Sequence, residues 1–103
     1  PAYLREGFRI LFLCGAYKEL CEFYEKLDKK EKNINRIRFY YISALHKLGK
    51  NKKAFRLLEK DGGFELEDIR EGEDSIAQLW QELHTELYGE EGELPHKYNF
   101  KAI

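Results

Sequence analysis

The sequence predicts an all-α fold, an array of helical hairpins with about five helices and an extended C-terminal tail. Three observations carry this. Apolar residues recur at helical spacing along most of the chain. Glycines at 15 and 49 interrupt the apolar stripes. The chain also resembles itself when shifted by 34 residues, so the two glycines coincide. A content of 43% hydrophobic and 36% charged residues in 103 positions suits one globular domain with a modest core.

In the first segment, Ala2 to Cys14, helical spacing relates Tyr3, Leu4, Phe8, Leu11 and Phe12. After the break at Gly15, a second amphipathic stretch from Tyr17 carries Leu20, Cys21, Phe23, Tyr24 and Leu27. It runs out at Asp28-Lys29-Lys30-Glu31-Lys32, which reads as a solvated charged turn. Asn33 or Asn35 is a candidate N-cap for the third helix, because a short amide side chain can accept from the free N–H groups of a first turn. That helix carries Ile37, Tyr40, Tyr41, Ala44, Leu45 and Leu48, and Gly49 ends it. A shorter fourth helix uses Ala54, Phe55, Leu57 and Leu58 and stops before Asp61-Gly62-Gly63.

The character then changes. Phe64, Leu66 and Ile69 alternate with acidic residues, an extended or irregular pattern. Ser75-Ile76-Ala77-Gln78 reads as a capping box opening a fifth helix. Its stripe is Ile76, Leu79, Trp80, Leu83 and Leu87, and Gly89 to Gly92 end it. Leu94, Tyr98 and Phe100 suggest a tail that docks onto the helices. The expected organisation is a single domain, with two degenerate hairpins over residues 1–60 and an acidic loop, capping helix and tail over 61–103.

At the 34-residue offset Gly15 meets Gly49, Lys18 meets Lys52, Leu20 meets Ala54, Phe23 meets Leu57 and Tyr24 meets Leu58. Leu13 to Leu20 and Lys47 to Ala54 are then two copies of one helix–glycine turn–helix joint. On these residues the chain resembles the tetratricopeptide repeat family across residues 1–60. The resemblance implies a right-handed α-solenoid that binds a protein or peptide and needs no cofactor. Departures stand beside it. The family's Trp slot holds Leu4 and Arg38, and its small first-helix slot holds Phe8 and Ile42, which calls for different or wider helix packing.

The run from Arg36 to Gly49, with Asp68 to Glu73, Leu79 to His84 and Leu94 to Phe100, is also similar to the carboxy-terminal end of large bacterial proteins. There an uncharacterised domain, sometimes near carbohydrate-processing partners, precedes tetratricopeptide repeats. That likeness implies an end cap over the later residues. The start at Pro1 without Met fits a fragment of such a longer protein.

Charge is uneven. Residues 1–60 hold 15 Lys and Arg against 7 Asp and Glu, a net +8, whereas residues 61–103 hold 3 against 12, a net −9. A basic half attracts anionic partners, or the acidic half neutralises it within the fold. Nucleic acid is disfavoured, since the basic residues interleave with Glu and the pI is about 6.4. The apolar run from Ile10 to Cys14 is too short to cross a bilayer. Cys14 and Cys21 form no disulfide framework and read as small buried apolar residues of a reducing, cytoplasmic protein.

No catalytic constellation stands out, and the expectation is a chain that is not an enzyme. His46, His84 and His96 lack metal-ligand spacing. Asp61-Gly62-Gly63 lacks the Gly-Lys-Ser of a phosphate loop, and the carboxylates of 65–74 do not alternate as calcium ligands do. Trp80 reads as core, as do Phe23-Tyr24 and Tyr40-Tyr41.

In tetratricopeptide arrays the first helix of each pair lines a concave groove. Carried onto this chain, that face is Arg5, Arg9 and Phe12, then Arg36, Phe39, Ser43, His46 and Lys47. Arginine forks suit carboxylates, and aromatics supply contact area. The implied ligand is an acidic peptide or a carboxylate terminus. The competing readings are a plain solvated face and a purely structural cap or homodimerisation element of a larger carbohydrate-related bacterial protein.

Overall fold

The computed structural model describes residues 2–60 and 69–89, with the side chains of Ala2 and residues 69–75 left aside. Among these residues the chain is helical without strands, and six helices follow in order. They are α1 (Ala2–Leu13), α2 (Tyr17–Glu25), α3 (Lys29–Lys32), α4 (Asn35–Lys47), α5 (Asn51–Glu59) and α6 (Ile69–Tyr88). None is long and apolar enough to cross a membrane. The Asp61-Gly62-Gly63 turn, Phe64, Leu66 and the tail from Leu94 to Phe100 lie outside the described residues.

The chain divides into two compact units, residues 1–50 and 51–103. The division falls ten residues before the composition shift at 60/61 and groups α5 with α6. The side-chain reason is direct, because Phe55 of α5 meets Trp80, His84 and Tyr88 of α6.

In the first unit α1 and α2 form an antiparallel pair, and α4 packs against both. The joint between α1 and α2 follows from one residue. Gly15 takes φ +74, where a side chain would be strained. That conformation lets the Gly15 amide donate to the Phe12 carbonyl at 3.1 Å and the Ala16 amide to the Leu11 carbonyl at 2.9 Å. This paired 5→2 and 6→1 closure is a Schellman motif. The same set recurs 34 residues on. Gly49, at φ +80, donates to His46 at 3.0 Å and Lys50 to Leu45 at 2.9 Å. The two glycines therefore do the same geometric job.

Leu4, Phe8, Leu20, Cys21, Ile37, Tyr41, Ile42, Ala44 and Leu45 are the buried apolar residues of this unit. Phe8 meets Phe23 and Tyr24 edge-on, with centroids at 5.3 and 6.5 Å. Tyr24 lies flat on Tyr41 at 3.9 Å and 10°. Tyr3 belongs to the sequence stripe but is exposed, because the core face of α1 is centred on Leu4, Phe8 and Leu11, about 100° away.

Several local expectations are corrected. Asp28 to Lys32 is not a plain turn but the short helix α3 with a capping box. The Glu31 amide donates to Asp28 Oδ1 at 2.8 Å, and the Asp28 amide donates to Glu31 Oε1 at 3.3 Å. Neither Asn33 nor Asn35 caps α4. Asn33 ends α3, Asn35 is already helical, and Ile34 in extended backbone holds the N-cap position without a side-chain bond. Cys14 is exposed while Cys21 is buried, since the first lies past the end of α1 and the second inside α2.

In the second unit, α5 and α6 pack as a pair around Ala54, Leu58, Ile76, Leu79, Trp80 and Leu83. Ser75 does not open α6. The helix begins at Ile69, so Ser75 lies well inside it. Glu and Arg in 69–74 propagate a helix well, and one glycine in the run costs only about 1 kcal/mol against alanine. Gln78 instead donates one turn forward, to Glu82 at 3.1 Å. Gly89 at φ +76 terminates the helix, as its position suggested.

Candidate interaction face

The eight candidate residues all belong to the first unit, on α1 and α4. Arg5, Arg9 and Phe12 recur at spacings of four and three, so α1 presents them on one side. Arg5 and Arg9 are exposed, and Phe12 is half-buried. Arg9 Nη1 pairs with Glu6 Oε1 at 2.9 Å, an exposed pair worth little stability. On α4, Arg36, Phe39 and His46 are half-buried and Lys47 is exposed. Ser43 is only 6% exposed and so is not a surface contact, because the helix is covered on every side over the five consecutive buried residues from Tyr41 to Leu45.

Phe12 reaches across from α1 to α4. Its ring lies 5.3 Å from Tyr17 of α2 and 5.8 Å from Tyr40 of α4, and Tyr40 lies 6.1 Å from Phe39. Tyr17, Phe12, Tyr40 and Phe39 thus form a row of half-buried rings spanning three helices. Tyr17 and Tyr40 were not among the sequence candidates. The sequence groups Tyr40 with Tyr41 as core, yet successive helical residues differ by about 100°. Tyr41 faces Tyr24 while Tyr40 faces Phe12. The signal that separates them is this difference in direction, since Tyr40 lies one turn after Arg36 and one residue after Phe39 whereas Tyr41 lies one turn after Ile37.

Behind this row Tyr24 is a polar anchor. Tyr24 Oη donates to the Lys32 carbonyl at 3.0 Å, and Lys32 Nζ sits 5.9 Å from the ring centroid. Burial pushes the Tyr24 hydroxyl above its ordinary 10.0, a shift opposed by Arg38 and reinforced by Tyr41. The neutral form is thus favoured in the fold. Its stabilisation is complete below pH 10 and fades as pH rises through the raised value. Tyr24→Phe should cost about 0.5–1.5 kcal/mol at neutral pH, the worth of one hydrogen bond. It should also shrink the loss of stability above pH 10, read by urea titrations at pH 8 and 11.

In the second unit, Trp80 is buried, stacks on His84 at 5.0 Å and 24°, and donates from Nε1 to Glu59 Oε1. His84 in turn lies 4.6 Å from the exposed Tyr88 ring. This agrees with the core reading of Trp80. Among the described residues, no three His, Cys, Asp or Glu side chains gather as metal ligands would. Compared with known proteins, the chain matches no family model, no curated protein and no solved structure.

Proposed function

We propose that this chain is a tetratricopeptide-type α-solenoid segment that binds an acidic peptide or a carboxylate terminus and performs no catalysis itself. The observation that carries the reading is the ring row Tyr17–Phe12–Tyr40–Phe39 across α1, α2 and α4. Arg5 and Arg9 share the Phe12 side of α1, and Arg36 lies one turn from Phe39 and Tyr40 on α4. Rings give a peptide backbone flat area to lie on, and guanidinium forks fix its carboxylates. The net +8 of residues 1–60 draws such a ligand in.

The test is fluorescence anisotropy with a labelled Asp/Glu-rich peptide bearing a free C-terminus. Arg9→Glu/Arg36→Glu should weaken binding by at least roughly 100-fold, since each reversal removes charge-assisted bonds of about 1.5–3 kcal/mol. Binding should also weaken with salt. Unchanged affinity in the double variant overturns the reading.

A structural role is the second reading, favoured by an apolar stripe on α1 that includes the exposed Tyr3, Ile10 and Leu13. Light scattering after size exclusion separates the two, as a stable homodimer favours the structural role.

A further inference from the structure

Helix α1 has three sides. Leu4, Phe8 and Leu11 face inward, and Arg5, Arg9 and Phe12 form the candidate interaction face. The third side, Tyr3, Gly7 and Ile10 with Cys14 just past the helix end, lies opposite the arginines by helical spacing. Tyr3 is 77% exposed and Ile10 50%, and the neighbouring Leu13 is 67% exposed. A Cβ placed on Gly7 would meet nothing within 4 Å, so the middle of the stripe is open space.

The 34-residue equivalence says what such a stripe is for. Tyr3, Gly7 and Ile10 correspond to Ile37, Tyr41 and Ala44 of α4, and Cys14, just past α1, corresponds to Leu48, just past α4. On α4 the first three are buried, and this is the side turned to the preceding hairpin, for Tyr41 stacks on Tyr24 of α2. The joints that follow α1 and α4 have the same hydrogen bonds, so the 34-residue map pairs the ends of the two helices in structure as well as in sequence. One of the two equivalent sides is covered and the other is bare.

We propose that the Tyr3–Gly7–Ile10–Cys14 stripe is the docking surface for a further helical hairpin joined to the N-terminal side of α1. That hairpin would set an aromatic side chain of its second helix over Gly7, as Tyr24 sits on Tyr41. The inference rests on the repeat reading given above. A second copy fits less well. Helix α1 has 12 residues and so is about 18 Å long. A strip one helix wide and that long falls well short of the ~800 Å² per partner of a stable dimer. A tethered hairpin meets the stripe at an effective concentration high enough for so small a contact.

The test lengthens the full chain by one period, repeating residues 1–34 directly ahead of Pro1. Pro1 then takes the place of Asn35 at the first helical position, where proline is favoured. The added hairpin should raise Tm by at least about 5 °C. Ile10→Asp in the original copy should leave the 103-residue chain nearly unchanged and abolish the rise in the lengthened one. No rise, or a rise that survives Ile10→Asp, overturns the proposal. So does a homodimer of the 103-residue chain that Ile10→Asp dissociates, which would make a second copy the occupant. Acidic-peptide affinity of the same proteins reports on the opposite side of α1, so failure of either reading shows separately.

Discussion

Replacing Trp80 by alanine should destabilise the chain by about 3–5 kcal/mol, the usual cost of emptying a buried aromatic site. Trp80 is 5% exposed, with Phe55 at 5.7 Å and His84 stacked on its face. Removing the indole leaves a cavity between α5 and α6 and deprives Glu59 of its N–H donor. Thermal unfolding followed by far-UV circular dichroism should show Tm falling by at least about 12 °C. Trp80→Phe separates the two contributions. It keeps most of the ring and loses the hydrogen bond, so a smaller loss of about 1.5–3 kcal/mol is expected. A Tm unchanged in the alanine variant would refute the core placement.

Phe8→Ala should have a similar effect in the first unit, again about 3–5 kcal/mol. Phe8 is 1% exposed and sets its edge against Phe23 and Tyr24. Edge-to-face pairs add about 0.5–1.5 kcal/mol beyond burial, and alanine forfeits them. Phe8→Leu keeps the volume approximately and should cost well under half as much. Chemical denaturation read by circular dichroism would rank the variants, and equal midpoints for Ala and Leu would contradict the packing. Phe8 holds the slot where the resembled family has a small residue. The unit accommodates it by meeting the ring with two aromatics of α2.

These residues also show what the sequence made legible. The helical class, Gly15 and Gly49 as matched joints, and the stripes around Ile37 and Leu83 were readable because periodicity and positive-φ glycine are local signals. Helix α3 was not readable, because Lys-Lys-Glu-Lys has no apolar stripe and only its capping box announces it. The Ser-x-x-Gln pattern does not mark the start of α6 because it also occurs inside helices, as here, where Gln78 bonds forward to Glu82. Within the candidate face the arginines were placed on exposed or half-buried positions, but Ser43 was not. The partnership of Tyr40 with Phe12 depends on how two helices cross, which one-dimensional spacing does not encode.

Helix α3 has a consequence for the rest of the first unit. Nine residues separate Glu25 from Asn35, enough for a slack connection. Winding four of them into a capped turn, with Tyr24 Oη donating to the Lys32 carbonyl, gives the connection a fixed length. Fixed length means fixed phase, the rotation at which α4 arrives beside α2. A slip of one residue would turn α4 by about 100°, taking Tyr41 off Tyr24 and Tyr40 off Phe12 together. The shortest of the described helices thus sets the register on which both the core stack and the ring row depend.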